Sequence, residues 1–375
     1  MKKVLCLVLS IIMISGIFYS TNILAGAAGY NPYVTFTNND VKTVFRVRNN
    51  SHDGTSTTNL GGISVGAANN RLFCVKSSSD EQVGTLYYYN NIYDERFNTG
   101  EKEPKKIVFT NGLLGHANAM AVDNKYIYVT MWSGTERNKV LRISRRAISY
   151  LSSGSVISSD TAQVTKDGDT VRVCTILTPK TSSGGTYNNR IASITKYSYN
   201  STTGITKFII GYPSNVSSTL CFAIATLNEA TGNFTVSTSY NDMFYVKSGS
   251  YTGFSGVTKQ DIFYDASYGL FIALWSGGTN NYVLRYDIRD IRTSGKTSYS
   301  TFDPLQTMYI SKTSENGNTI NQFEIESIAF VKRDSSLNST DYKFVFSVNK
   351  LPVNSNMGDS IEELKGFTTK VPKFS

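Results

Sequence analysis

Beyond its first 27 residues the chain has few groups able to do chemistry at neutral pH: two histidines, His52 and His116, and three cysteines, Cys74, Cys174 and Cys221. His116 stands in Gly-His-Ala-Asn, and two carboxyl groups, Glu324 and Glu326, stand in Phe-Glu-Ile-Glu-Ser. An imidazole beside a carboxylate can act as an oriented general base, whereas the same carboxylate beside Arg190 is only a charge pair. The sequence leaves both pairings of Glu324 open. Two residues apart on an extended chain, Glu324 and Glu326 face the same side. Glycoside hydrolysis needs carboxyls flanking the scissile bond, roughly 5 to 9.5 Å apart, so this side-by-side pair argues against it. With Asn118 and main-chain carbonyls the pair offers hard oxygen ligands, which leaves calcium as the one cofactor to consider. Two histidines and no Cys-x-x-Cys argue against a structural zinc or multi-histidine centre. There is no phosphate-cradling glycine loop.

These groups must be positioned by strands. Short alternating runs such as "KYIYVTMW" and "YKFVFSV" are separated by Gly, Asn, Ser and Asp clusters, which predicts an all-β fold. Only "RRAISYLSS" and "DSIEELKGF" read as helical. The segment "MWSGTERNKVLRIS" from Met131 is echoed by "LWSGGTNNYVLRYD" from Leu274, and a weaker copy between them sets a repeat of about 70 residues. Five units follow, beginning near Gly61, Gly115, Asn189, Val257 and Phe323. Each reads as an inner strand, a turn, an apolar second strand, a polar loop and a third strand.

This is the pattern of a β-propeller, predicted here with five blades, six or seven being the alternatives. The last unit is too short for a full blade, and the N-terminal strands "YVTFT" and "KTVFRVRN" are expected to complete it. Trp132 and Trp275 are expected to end second strands and pack between blades.

Aligning the units stacks Gly62, His116, Arg190, Thr258 and Glu324 at one position. Two residues on lie Ser64, Asn118, Ala192, Gln260 and Glu326. Innermost strands converge on the central channel, whose mouth is a common place for a ligand. The candidate binding residues are therefore His116, Asn118, Arg190, Gln260, Glu324 and Glu326. Where five-bladed hydrolases of the arabinanase and invertase type place a nucleophilic Asp, the first unit offers Gly62 and Ser64.

Lys2, Lys3, the apolar run Val4–Tyr19 and Ala25-Gly26-Ala27 form the pattern of a cleaved secretory leader over residues 1–27. Residues 28–375 then form one domain of a secreted protein, expected to be monomeric and not held in a membrane. Loss of Lys2 and Lys3 lowers the net charge from +9 to +7, a bias toward anionic partners. Basic and aromatic residues do not interleave in one stripe, which argues against specific nucleic-acid binding. The three cysteines sit in apolar runs and read as buried, unreactive thiols.

"GHANAMAV" and "FEIESIAF" resemble the blade starts of the helveticin-like propellers, secreted bacteriocin-related proteins of Gram-positive bacteria. The resemblance implies a secreted propeller that binds or acts on bacterial envelopes, with His116, Glu324 and Glu326 in the shared site. The reading taken forward is a binding module for a glycan or an anionic cell-envelope polymer. The alternatives are a bacteriocin-like protein acting on competitor cells, and a lyase, hydrolase or lactonase-type enzyme using His116 and Glu324.

Overall fold

A computed structural model describes residues 32–66, 70–132, 136–212, 219–247, 258–292, 294–332, 342–353 and 357–374. Residues 1–27, expected to form a leader, and Ser133 and Gly134 of the first Trp-Ser-Gly copy lie outside the described residues. The fold is all-β in a propeller arrangement.

In chain order, the first sheet comprises Asn59–Gly66, Arg71–Ser77, Gly84–Tyr89 and Lys105–Phe109. The second is built from Met120–Val122, Tyr126–Thr130, Val140–Ser144 and Cys174–Leu177. In the third, Ser193–Asn200, Ile205–Tyr212 and Thr219–Asn228 are followed by Phe234–Val236 and Met243–Lys247, both paired to Thr219–Asn228. The fourth is Thr258–Asp265, Gly269–Trp275, Asn280–Tyr286 and Gln306–Ser311. The fifth takes Gln322–Lys332, Tyr342–Leu351 and Ser360–Leu364. The first strands of successive sheets pack side by side, and that of the fifth packs on that of the first.

Closure uses the N-terminus, shared between two sheets. Tyr33–Phe36 lies parallel on Gln306–Ser311 of the fourth sheet, and Val41–Arg46 lies antiparallel on Ser360–Leu364 of the fifth. Phe36 and Phe45 are thereby fully buried. Burying each large aromatic side chain contributes about 1.5 to 3 kcal/mol, so the joint is held by side chains as well as main-chain bonds.

Of the two helix-like segments, one is a helix: Arg145–Tyr150, capped by the Ser144 hydroxyl, which accepts from the Ala147 N–H at 3.2 Å. The other contains the strand Ser360–Leu364, which corrects the sequence reading. Its Glu362 is fully buried and accepts from Lys312 at 3.0 Å, from Thr43 at 2.9 Å, from Ser360 at 2.7 Å and from Lys350. Glu315 completes the cluster, 3.0 Å from Lys350 and 3.3 Å from Lys312. Burial alone raises a carboxyl, yet the two lysines and Thr43 hold Glu315 down to about 2. Two cations and two anions balance, which is what makes so much buried charge tolerable.

Cores lie between neighbouring sheets. Phe271 and Tyr268 of the fourth pack on Phe330 and Phe344 of the fifth and on Phe367, with ring centroids 5.1 to 5.9 Å apart across Phe271–Phe330, Phe330–Phe344, Phe271–Phe344 and Phe344–Phe367. The tryptophans contribute less to these cores than expected. Half-buried Trp275 donates its indole N–H to Gly278 O at 3.2 Å within its own turn, and Trp132 lies under the Arg190 guanidinium at 5.4 Å.

Candidate functional site

The strand register decides which side chains reach the channel mouth. Leu60 pairs with Lys76 and Ile63 with Cys74, just as Lys259 pairs with Leu274 and Ile262 with Ile272; Ile325 and Ile328 pair with Val348 and Phe346. Each of these three first strands carries a bulge at the same place, and a bulge re-aims a side chain. The first unit must therefore be shifted by three residues: the counterparts of Glu324 and Glu326 are Asn59 and Gly61, not Gly62 and Ser64. Sterics explain the glycines. A Cβ on Gly61 would meet Ala117 O at 2.6 Å, and one on Gly62 would meet the Ala119 carbonyl carbon at 2.9 Å. Here the first two sheets touch backbone to backbone, which only glycine allows.

A cavity of about 910 Å³ opens where the first strands begin, and Asn59, Gly61, His116, Asn118, Glu324 and Glu326 line it. The structure thus brings together four of the six predicted residues. Gln260, 8% exposed, stands behind the wall and donates its amide to Glu324 Oε1 at 2.7 Å. Arg190 is exposed, does not line the cavity and stacks on Trp132, which corrects the reading that put it at the mouth.

Neither pairing considered for Glu324 is formed. Its Oε1 and Oε2 accept from the amides of Gln260 and Gln322, each at 2.7 Å, and burial pushes its carboxyl up against these two bonds. His116 instead meets Glu81, with Nδ1 2.8 Å from Glu81 Oε1. Glu81 belongs to a turn where it adopts φ +61°, and no repeat position in the sequence points to it.

Glu326 accepts from the Asn349 amide at 2.7 Å. Burial first, and the neighbouring Glu324 second, push its carboxyl up to about 8, so it carries its proton at neutral pH. Asn349 also bridges to the first sheet, accepting from the Leu60 N–H at 3.2 Å and donating to Leu60 O at 3.3 Å.

The cations of the wall are engaged. Lys76, 1% exposed, donates to Asp359 at 2.7 Å, to Asn49 Oδ1 at 2.5 Å and to Val47 O at 3.2 Å, while Lys350 belongs to the buried cluster with Glu315 and Glu362. The sequence signal for Lys76 was a lysine ending the apolar run "RLFCVK". Gln322, Asn349 and Asp359 gave no signal, since an isolated amide or carboxylate near a strand end is usually solvated.

The oxygens proposed for calcium do not fit it. Both Glu324 oxygens already accept amide N–H groups, and Glu326 already accepts from the Asn349 amide. Among the described residues no group of three or more His, Cys, Asp or Glu could hold a metal ion. Cys74, Cys174 and Cys221 are buried and joined by no disulfide, and burial pushes the Cys174 thiol up to about 12. No described helix is long and apolar enough to cross a membrane.

No protein-family model matches the chain, and no curated protein matches it in sequence. Among solved structures it is similar to an α-L-arabinofuranosidase from Lactobacillus brevis, at 8% identity and TM-score 0.42 over 81% of this chain and 90% of that one. It is also similar to a Trypanosoma rangeli sialidase, at 7% identity and TM-score 0.37 over 88% of this chain and 58% of that one. A bifunctional GH43-CE protein from Bacteroides eggerthii matches at 8% identity and TM-score 0.31, over 79% of this chain and 35% of that one. Likeness at this level bears on no activity.

Proposed function

We propose that this protein is a secreted β-propeller of five blades that binds a glycan in the cavity at its channel mouth. Five sheets whose first strands pack in a closed ring support the blade count, and the leader pattern supports secretion. The observation that carries the binding reading is the cavity wall itself: amides and carboxyls, several held by defined partners, around about 910 Å³. Amides and a protonated carboxyl both donate and accept, which matches the hydroxyls of a sugar. Asn118 makes no side-chain hydrogen bond to a described residue and is free to meet one. Four cations line the cavity, Arg46, Arg48, Lys76 and Lys350; with Lys76, Lys350 and Arg48 paired with carboxylates, a neutral sugar chain suits the wall better than an anionic polymer.

A catalytic reading has one observation in its favour: Glu326, held protonated, is a potential proton donor, and His116 is a carboxylate-oriented imidazole. A glycan array probed with wild type and Asn118→Ala tests the binding reading, with reducing ends measured in the same incubations. Retention of discrete glycans by the wild type and their loss from Asn118→Ala supports a binding module. New reducing ends support the enzyme, and killing of Gram-positive target cells supports the bacteriocin-like reading.

A further inference from the structure

We infer that the outer edge of the second sheet is a docking site for an extended acidic peptide segment, which adds to the sheet as a further strand. The fold covers its other outer edges itself. Val156–Ile157 lies parallel on the first sheet, Lys180–Thr181 and Ser300–Phe302 on the third, and Tyr33–Phe36 on the fourth. The outermost strand of the fifth, Val41–Arg46, packs against the short helix Arg96–Thr99. Cys174–Leu177 of the second sheet has no such strand among the described residues. Beside it runs a cavity of about 360 Å³, closed on the far side by the turn at Glu229–Gly232.

The start of this edge is flanked by Ser159–Ala162, since the Val173 N–H donates to Ala162 O at 2.8 Å; the Ser144 N–H donates to Val173 O at 2.8 Å, so the two-residue period of the ladder turns the main-chain groups of Ile176, beyond that segment, outward. A half-buried strand edge with outward main-chain groups is a template for strand addition.

The charge of the occupant follows from Arg142. This half-buried guanidinium lines the cavity, lies 4.7 Å over the Tyr126 ring and makes no hydrogen bond or ion pair to a described residue; its Nη1 is buried without a partner. A guanidinium so placed calls for an anion. Arg172 lines the same cavity and donates to Asp160 O at 2.8 Å, with the Asp160 carboxylate 4.0 Å away. The facing carboxylate, Glu229, is already neutralised by Lys125 at 2.6 Å.

The test uses fluorescent acetyl-Thr-Val-Glu-Val-Thr-Val-amide on the mature protein, with a Lys-for-Glu peptide, a peptide N-methylated at alternate amides, and free glutarate as controls. The Glu peptide should bind, with affinity falling about tenfold or more for the Lys peptide and for R142Q, as for loss of a charge-assisted bond. The N-methylated peptide should not bind, and glutarate should compete only weakly. Should R142Q fail to fold by circular dichroism, R172Q at the exposed rim is read instead, with a loss of about threefold. Equal binding of the Glu and Lys peptides, or none by either, overturns the proposal. Competition by glutarate at the peptide's own affinity overturns strand addition in favour of a small-anion site.

Discussion

Replacing Glu326 by Gln should remove a pH dependence of stability that the cavity imposes. The protonated carboxyl of Glu326 is the form the folded protein favours, because burial and Glu324 push it from an ordinary 4.5 up to about 8. The folded chain therefore holds a proton that the unfolded chain releases between these values. Its stabilising contribution is full below pH of about 4.5 and is lost as pH rises to about 8. At 1.36 kcal/mol for each pH unit, the whole gap corresponds to ~5 kcal/mol. Glu326 is half-buried and lines the open cavity, and screening there reduces the figure to ~2 to 4 kcal/mol. Glutamine mimics the protonated acid and keeps the acceptor for Asn349, so the variant lacks the slope. Urea unfolding at pH 4 and pH 9 should find the two proteins alike at pH 4 and Glu326→Gln more stable by ~2 to 4 kcal/mol at pH 9. Parallel stability profiles for the two proteins would refute this placement of Glu326.

Lys350→Met should cost ~3 to 5 kcal/mol in the same assay, since it leaves Glu362 and Glu315 as buried carboxylates short of a cation. Glu315 has the opposite sign to Glu326: held down to about 2, its contribution is present above the ordinary carboxylate range and disappears as pH falls through about 2. Glu315→Gln should therefore flatten acid unfolding monitored by tryptophan fluorescence below pH of about 4. Deleting residues 28–47 removes both closing strands with Phe36 and Phe45; the loss is large against a typical stability of roughly 5 to 15 kcal/mol, and thermal melts should show no cooperative transition. Ellman's reagent should find Cys74, Cys174 and Cys221 unreactive in the native protein and fully reactive in denaturant, given their burial.

Much of the architecture was legible because it is written in periodicity. Strand alternation and the repeat located every first strand, and the shortfall of the last unit pointed to the N-terminus, though the structure divides Tyr33–Phe36 and Val41–Arg46 between two sheets. Ser360–Leu364 was misread because two adjacent glutamates normally mark a solvated helix face; only Lys312 and Lys350, 50 and 12 residues away in sequence, make a strand with a buried Glu362 affordable.

The site was legible where a repeat position carries a polar residue, as at His116, Asn118, Glu324 and Glu326. It was illegible where a bulge shifts the register, as in the first unit, or where the partner lies in a turn outside the repeat, as Glu81 does. Arg190 failed for a related reason. It lies before its strand, Ser193–Asn200, where alignment constrains direction least.

Co-sedimentation of residues 28–375 with purified Gram-positive cell walls, at low and high salt, tests the central claim most directly. Asn118→Ala is the informative variant, because Glu324→Gln would set an amide against the amides of Gln260 and Gln322. Binding that survives high salt in the wild type and falls about tenfold in Asn118→Ala is the predicted result, the size of one or two lost hydrogen bonds. No binding, or binding that salt abolishes equally in both proteins, would contradict a glycan site at the channel mouth and leave only the attraction of a basic surface.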